Sequence, residues 1–233
     1  MSMSTEGNGG DQVAAFLSQL RDVARGLVER TLGVERSVEG IAAMIEGANS
    51  MSDLASDRLE KMLPSPRHLD CGKGCSHCCR MPLIATDPAR VFYLAHYLAN
   101  HPDAGETAAY EARIAKAEQR PCVLLNGDMC VAYPVRPEAC RAYNAFDSDA
   151  CASGELAIVR GEIGARAYPV PFLIAAAIAS GLAEGLALLG LEHHQVGLNA
   201  ALRIVHDQPD ALTRWLGGEP VFSEVRLKAP PPP

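Results

Sequence analysis

Apolar residues recur at three- and four-residue steps near the start of the chain. Val13, Phe16, Leu17, Leu20, Val23, Ala24, Leu27 and Val28 share one face if residues 11–30 are helical, and Asp11 has the side chain to cap that helix. The same spacing predicts a second helix over 33–47, with Val34, Val38, Ile41, Met44 and Ile45 on its apolar face. A third is predicted over 52–62, stopping before Pro64 and Pro66. Asp87-Pro88 reads as the cap and first residue of a helix through Val91, Phe92, Leu94, Ala95 and Leu98, and a more polar helix follows over 103–119. From Tyr168 onward the pattern is helical again. It starts with PFLIAAAIASGLAEGLALLGL, apolar nearly all round, and continues with helices over 195–205 and 209–216.

The apolar run reaches the roughly 20 residues needed to cross a bilayer. Glu184 lies inside it, however, Ala and Gly dominate it, and neither end is closely flanked by Lys or Arg. The expectation is a buried central helix, or one broken near Gly181 and Gly185, and no membrane span. Short strands are predicted at most around 121–125 and 130–133, and neither a repeat nor a strand–helix alternation is present. The predicted fold class is therefore mostly α, a helical protein around one irregular segment with few or no short strands. It divides into a helical N-terminal region (1–66), an irregular middle segment (67–152), a C-terminal helical region packing on it (153–228) and a disordered proline tail (229–233).

Composition narrows the function. With 48% hydrophobic residues the chain can bury a core without further staples. Its 28 acidic against 21 basic residues leave no broad cationic surface for a phosphate backbone, so nucleic acid is not an expected partner. The stripe on the N-terminal helices suits core packing, or contact with a protein partner or a second copy of the chain.

The chemistry is concentrated in the middle segment, which holds all 8 cysteines. Cys71, Cys75, Cys78 and Cys79 lie within CGKGCSHCC, and Cys122, Cys130, Cys140 and Cys151 follow after the helical pair. That pair could fold back as a hairpin and bring the two groups together. Thiols this dense need a common explanation, since the thiolate is the form that oxidises and binds soft metals. A disulfide framework suits secreted chains, whereas the start MSMSTEGNGGDQ shows neither a basic nor an apolar leader segment. A cytoplasmic location and metal ligation are the expectation. A disulfide between adjacent Cys78 and Cys79 would also force a strained ring.

Cys71, Cys75 and Cys78 have the C-x3-C-x2-C spacing that holds three irons of an S-adenosylmethionine-binding cluster, but such enzymes are β/α barrels and the barrel pattern is missing. A tetrahedral zinc uses four ligands, so the surplus argues for a polynuclear cluster or two sites. Side chains of neighbouring residues tend to diverge, so Cys78 and Cys79 are not expected to serve one ion equally. Arg136 and Arg141, beside Cys140, are placed to offset thiolate charge.

C-S-H-C-C, followed downstream by C-x2-Y-x2-R-P-x2-C-R from Cys130 to Arg141, resembles the YkgJ-type cysteine cluster proteins, also called the CxxCxxCC zinc- or iron-chelating family. The resemblance covers about residues 70–152, and RWLGGEPVF resembles the ending of longer members. It implies zinc or iron chelation. It also implies similarity to the metal-binding part of a flagellin lysine methylase associated with an iron–sulfur cluster. By motif, Cys71, Cys75, Cys78, Cys79, Cys130 and Cys140 correspond to the family's cysteines, with Cys122 and Cys151 matching the further ones more loosely. The first gap here is three residues, against two in the family's name.

Three classes stay open: a binding module that stores, delivers or senses metal; a metal- or iron–sulfur-dependent enzyme; and a structural zinc module for a protein partner. No nucleophile elbow, P-loop or dinucleotide fingerprint is present. His77, Glu138, Asp147 and Asp149 are secondary candidates as ligands. His193 and His194 read as a loop pair at a helix end, and Tyr133, Tyr143 and Asn144 as neighbours shaping a pocket.

Overall fold

The computed structural model describes residues 7–81, 83–101, 104–116, 121–152 and 167–228. The expected proline tail lies outside the described residues, as do both predicted ends of the 103–119 helix. Three long helices frame the molecule: α1 (Gly7–Arg30), α2 (Val38–Met62) and α7 (Pro169–Leu188). Between α2 and α7 the chain runs through β1 (Ala85–Thr86), α3 (Pro88–Asn100), α4 (Ala104–Ala115), β2 (Leu125–Asn126), β3 (Met129–Cys130), α5 (Glu138–Ala142) and α6 (Ser148–Ala152). After α7 come β4 (Val196–Gly197), α8 (Leu198–Asp207) and α9 (Ala211–Leu216). The protein is mostly α, as the periodicity predicts; among the described residues there are two small antiparallel strand pairs, β2–β3 near the expected strands and β1–β4, which was not expected.

The tightest packing joins α1 to α7. Val170, Ile174, Ile178, Leu182 and Leu186 form a buried stripe on α7. Gly181 and Gly185, four residues apart, let the two backbones close up. A Cβ at Gly181 would fall 2.1 Å from the Arg21 carbonyl oxygen, and one at Gly185 would fall 2.6 Å from the Val28 Cβ. The glycines therefore do not break the helix. They are a packing surface, and the contact they allow offsets their cost of about 1 kcal/mol each relative to alanine. Glu184, on the same turn, pairs with Arg21 and reaches Arg25 at 4.0 Å. By length and composition α7 is the one described helix able to cross a membrane. Its buried stripe and ion-paired carboxylate are the features of a core helix.

Residues 38–62 form one helix where two were expected. Ser37, in extended conformation, caps it by accepting the Gly40 N–H at 3.0 Å, and the predicted start at 33 is instead a turn that leaves Val34 82% exposed. The predicted gap over 48–51 does not occur, and polar side chains there find partners on other elements. Asn49 accepts from Arg90 Nη1 at 3.1 Å, and Ser52 donates to Glu138 Oε1 at 2.8 Å. Arg90 in turn donates to Glu138 Oε2 at 2.9 Å, and all three of Ser52, Arg90 and Glu138 are buried. This network ties α2, α3 and α5 together.

Asp87 caps α3 as expected, accepting the Arg90 N–H at 3.0 Å. Contrary to the hairpin expectation, α3 and α4 pack on α8 more than on each other. β1 pairs with β4 (Ala85 opposite Gly197), which sets α3 and α8 off side by side. The C-terminal segment closes this side: Trp215 and Phe222 are fully buried, each with its ring 5.4 Å from that of Phe92. Trp215 Nε1 donates to the Glu192 carbonyl at 3.1 Å, and the Phe222 N–H donates to the Glu192 carboxylate at 2.9 Å.

Candidate metal centre

The first cysteine group lies on a loop too short of apolar residues to form a helix. Gly74 adopts φ +97, a left-handed conformation that favours glycine, and the Cys75 N–H donates to the Gly72 carbonyl at 3.1 Å, closing a turn. A single 3-10 turn, Cys78–Arg80, follows. The loop is pinned from outside: the buried Ser76 hydroxyl donates to Asp128 Oδ1 at 2.7 Å, and Arg80 donates to the same oxygen at 2.9 Å. Those bonds, Ser76 first, hold the Asp128 carboxyl below its usual range. Asp128 belongs to the turn of the β2–β3 hairpin, where Gly127 has φ +60 and Leu125 pairs with Cys130.

The second group arrives from three elements. Cys122 enters the hairpin with its N–H on the Cys79 carbonyl at 2.8 Å, Cys130 ends β3, and Cys140 sits in α5. The Glu138–Arg90 pair anchors α5 two residues before Cys140. Farther along, the Ala145 N–H donates to Cys71 Sγ at 3.0 Å, and the Asp70 N–H donates to the Ala145 carbonyl at 3.1 Å.

Cys71, Cys75, Cys78, Cys79, Cys122, Cys130 and Cys140 thus line one cavity of about 100 Å3, together with Tyr133, Arg136, Tyr143 and Asn144. Cys151, in α6, lies beside it, packed with Cys71, Ala145 and Tyr143. All eight cysteines are free thiols. Cys78 and Cys79 do not diverge as expected. Both face the cavity, and a hydrogen bond between their thiols, followed by burial, drives Cys78 far above its ordinary range. Burial also pushes Cys140 and Cys151 up to about 12, and raises Cys71, Cys122 and Cys130. As they stand these are neutral thiols, so a metal ion entering must displace their protons.

The counter-charge comes from Arg136. Its guanidinium lies 4.1 Å from the Tyr133 ring centroid, its buried Nε has no hydrogen-bond partner among the described residues, and it offsets the rise at Cys71, Cys130 and Cys140. Arg141, expected in the same role, turns the other way and pairs with Asp53 of α2. The secondary candidates lie off the cavity lining. Glu138 is occupied by Arg90 and Ser52, and Asp147 accepts the Asp149 N–H at 2.9 Å. His193 bonds the Leu191 carbonyl at 3.0 Å, and His194 faces the Glu192 carboxylate at 3.3 Å. His77 sits near Asp128 rather than among the lining residues. Asp128 and the Arg90–Glu138 network escaped sequence reasoning. Their only traces are the N-G-D turn and a glutamate inside the R-P-x2-C-R motif.

The donor set fits zinc or iron: soft sulfur ligands, converging loops and an adjacent cation. Among the described residues no three Cys, His, Asp or Glu side chains are already drawn to one point that could hold an ion. The thiols line the cavity walls.

Residues 70–157 match the family model described as "CxxCxxCC: Putative zinc- or iron-chelating domain". The cysteine segment is similar to that domain family. The match spans well under half of the chain and takes in both cysteine groups; the long helices α1, α2 and α7 lie outside it. A comparison with curated proteins gave no match, and neither did one with solved structures.

Proposed function

We propose that the cysteine segment binds zinc or iron through Cys71, Cys75, Cys78, Cys79, Cys122, Cys130, Cys140 and Cys151, and that the helical scaffold holds these thiols in place. The observation that carries this reading is the convergence of seven of the 8 cysteines, from four separate stretches of chain, on one cavity. More thiols than one tetrahedral ion can use favour a polynuclear centre, iron–sulfur if the metal is iron. Thiols kept free in this number suit a reducing compartment, and the cytoplasm is the proposed location. The function is metal binding, as store, carrier or sensor; iron would add one-electron chemistry, whereas zinc would be structural or Lewis-acidic.

Metal analysis of anaerobically purified protein, together with its absorption spectrum, tests this. Bound zinc or iron is expected, with colour if the centre is iron–sulfur, and Cys78→Ser and Cys140→Ser are each expected to remove most of it. Metal-free protein from a metal-replete native host would overturn the reading.

A further inference from the structure

Every backbone polar group from the Pro121 carbonyl to the Val123 carbonyl is hydrogen-bonded, and two of these bonds come from a single side chain. Asn199, the second residue of α8, is buried. Its Oδ1 accepts the Val123 N–H at 3.0 Å, while its Nδ2 donates to the Pro121 carbonyl at 2.9 Å. The carboxamide therefore spans the peptides on either side of Cys122. The Cys122 N–H donates to the Cys79 carbonyl at 2.8 Å, and the Leu125 N–H donates to the Cys122 carbonyl at 3.0 Å. Arg113 of α4 completes the set, its Nε donating to the Val123 carbonyl at 2.7 Å.

Asn199 is itself firmly placed, because the preceding strand β4 pairs with β1 and the Leu198 N–H donates to the Ile84 carbonyl at 2.9 Å. Ile84, Cys122 and Leu198 line the cysteine cavity and also a second cavity of about 400 Å3 beside it, toward the C-terminal segment. A residue bordering two cavities is not fixed by packing alone. Directional bonds fix it instead. Accepting from one peptide while donating to another, across a fixed separation, is within the reach of a carboxamide but not of a carboxylate or an apolar group.

From this geometry we infer that Asn199 is a positioning residue of the metal centre, holding the backbone of Cys122 so that its thiol is in place before metal arrives, with Arg113 supporting it from α4. It acts through Cys122 and is not a ligand, since backbone groups occupy its amide. The inference rests on the chelation reading above and extends the centre to a helix outside the 70–157 match.

Two measurements on the full-length apoprotein under anaerobic conditions test it: cobalt(II) affinity by competition with a chelator, and site-by-site alkylation of the thiols followed by mass spectrometry. Asn199→Leu, similar in size but unable to make either bond, is expected to weaken cobalt binding about 10- to 100-fold, the usual range for a group that supports ligands. Its sulfur-to-cobalt absorption per bound ion should fall as well. In the same variant, alkylation of Cys122 is expected to speed up while Cys71 and Cys75 keep their rates, which general loosening of the fold would not produce. Arg113→Met, at the less buried end of the set, should show the same selectivity with a smaller loss of affinity, and it carries the test if Asn199→Leu does not retain helical circular dichroism. Unchanged affinity in a folded variant, or equal acceleration at all the cysteines, would overturn the inference. So would an affinity loss in Asn199→Leu larger than that in Cys122→Ser, because a residue acting only through Cys122 cannot matter more than Cys122 itself. Failure of the unsubstituted protein to bind cobalt would instead overturn the chelation reading, a result distinct from the others.

Discussion

The α1–α7 seam and the cysteine segment solve the problem of holding a chain in place by opposite means. At the seam, two long helices exclude water with small residues and a buried aliphatic stripe. The contact is non-directional, and what it demands is shape: room for no Cβ at Gly181 or Gly185. Around the cavity the elements are two to five residues long, too short to hold themselves by packing. Their positions are set by directional bonds such as Ser76–Asp128, Arg90–Glu138 and Ala145–Cys71. Substitutions should therefore separate into those that lower stability without touching metal affinity and those that do the reverse, with one network that does both.

That network gives the largest expected effect. Glu138→Leu leaves the Arg90 guanidinium buried without its nearest carboxylate, which should cost about 3–5 kcal/mol in denaturant unfolding and weaken metal binding, because α5 carries Cys140. Combining it with Arg90→Met should recover much of the stability, since replacing both members of a buried pair by apolar groups is often close to neutral. If metal affinity stays unchanged in a folded Glu138→Leu protein, the scaffold and the site are less coupled than their geometry indicates.

Gly181→Ala comes next, with an expected loss of about 1–3 kcal/mol from overpacking and no change in metal affinity or spectrum. Arg136→Gln should behave in the opposite way, leaving thermal unfolding of the helices near the original value while metal affinity falls about 10- to 100-fold, as is usual when a group supporting the ligands is removed. Arg141→Gln, whose partner is Asp53, should leave affinity unchanged, and competition with a chelator distinguishes the two. The smallest effect is expected at the rim of the seam. Arg21 holds the Glu184 carboxyl below its usual range. The pair therefore stabilises the fold above the ordinary carboxylate pKa, and that contribution disappears as pH falls through the lowered one. Glu184→Gln should reduce the melting temperature slightly at neutral pH and not at all in strong acid.

The scaffold was legible in the sequence to the extent that periodicity reports burial. The faces of α1, α3 and α8 and the Asp87 cap follow from three- and four-residue spacing and cap chemistry, both of which are local. The error at α2 has a tertiary cause, since Asn49 and Ser52 find distant partners in Arg90 and Glu138, and at α7 the choice between an unbroken and a broken helix is decided by the packing of Gly181 and Gly185 against α1. At the site, the thiols announced themselves by type and spacing. Which arginine faces them did not, because Arg136 and Arg141 flank the same cysteine and only the direction of a five-residue helix decides between them. Asp128 was hidden for the same reason, since a turn aspartate carries no mark of the loop it reaches.

The seam also sets an order in time. α1 is made first, yet its main partner, α7, begins at Pro169, after every cysteine has already been synthesised, and the aromatic cover over Phe92 waits for Trp215 and Phe222. On a nascent chain emerging from its N-terminus, the thiols therefore meet solvent, oxidants and metal before the scaffold that positions them can close. The interval between Cys151 leaving the ribosome and α7 docking on α1 is the period in which a wrong metal or a stray disulfide is easiest to acquire.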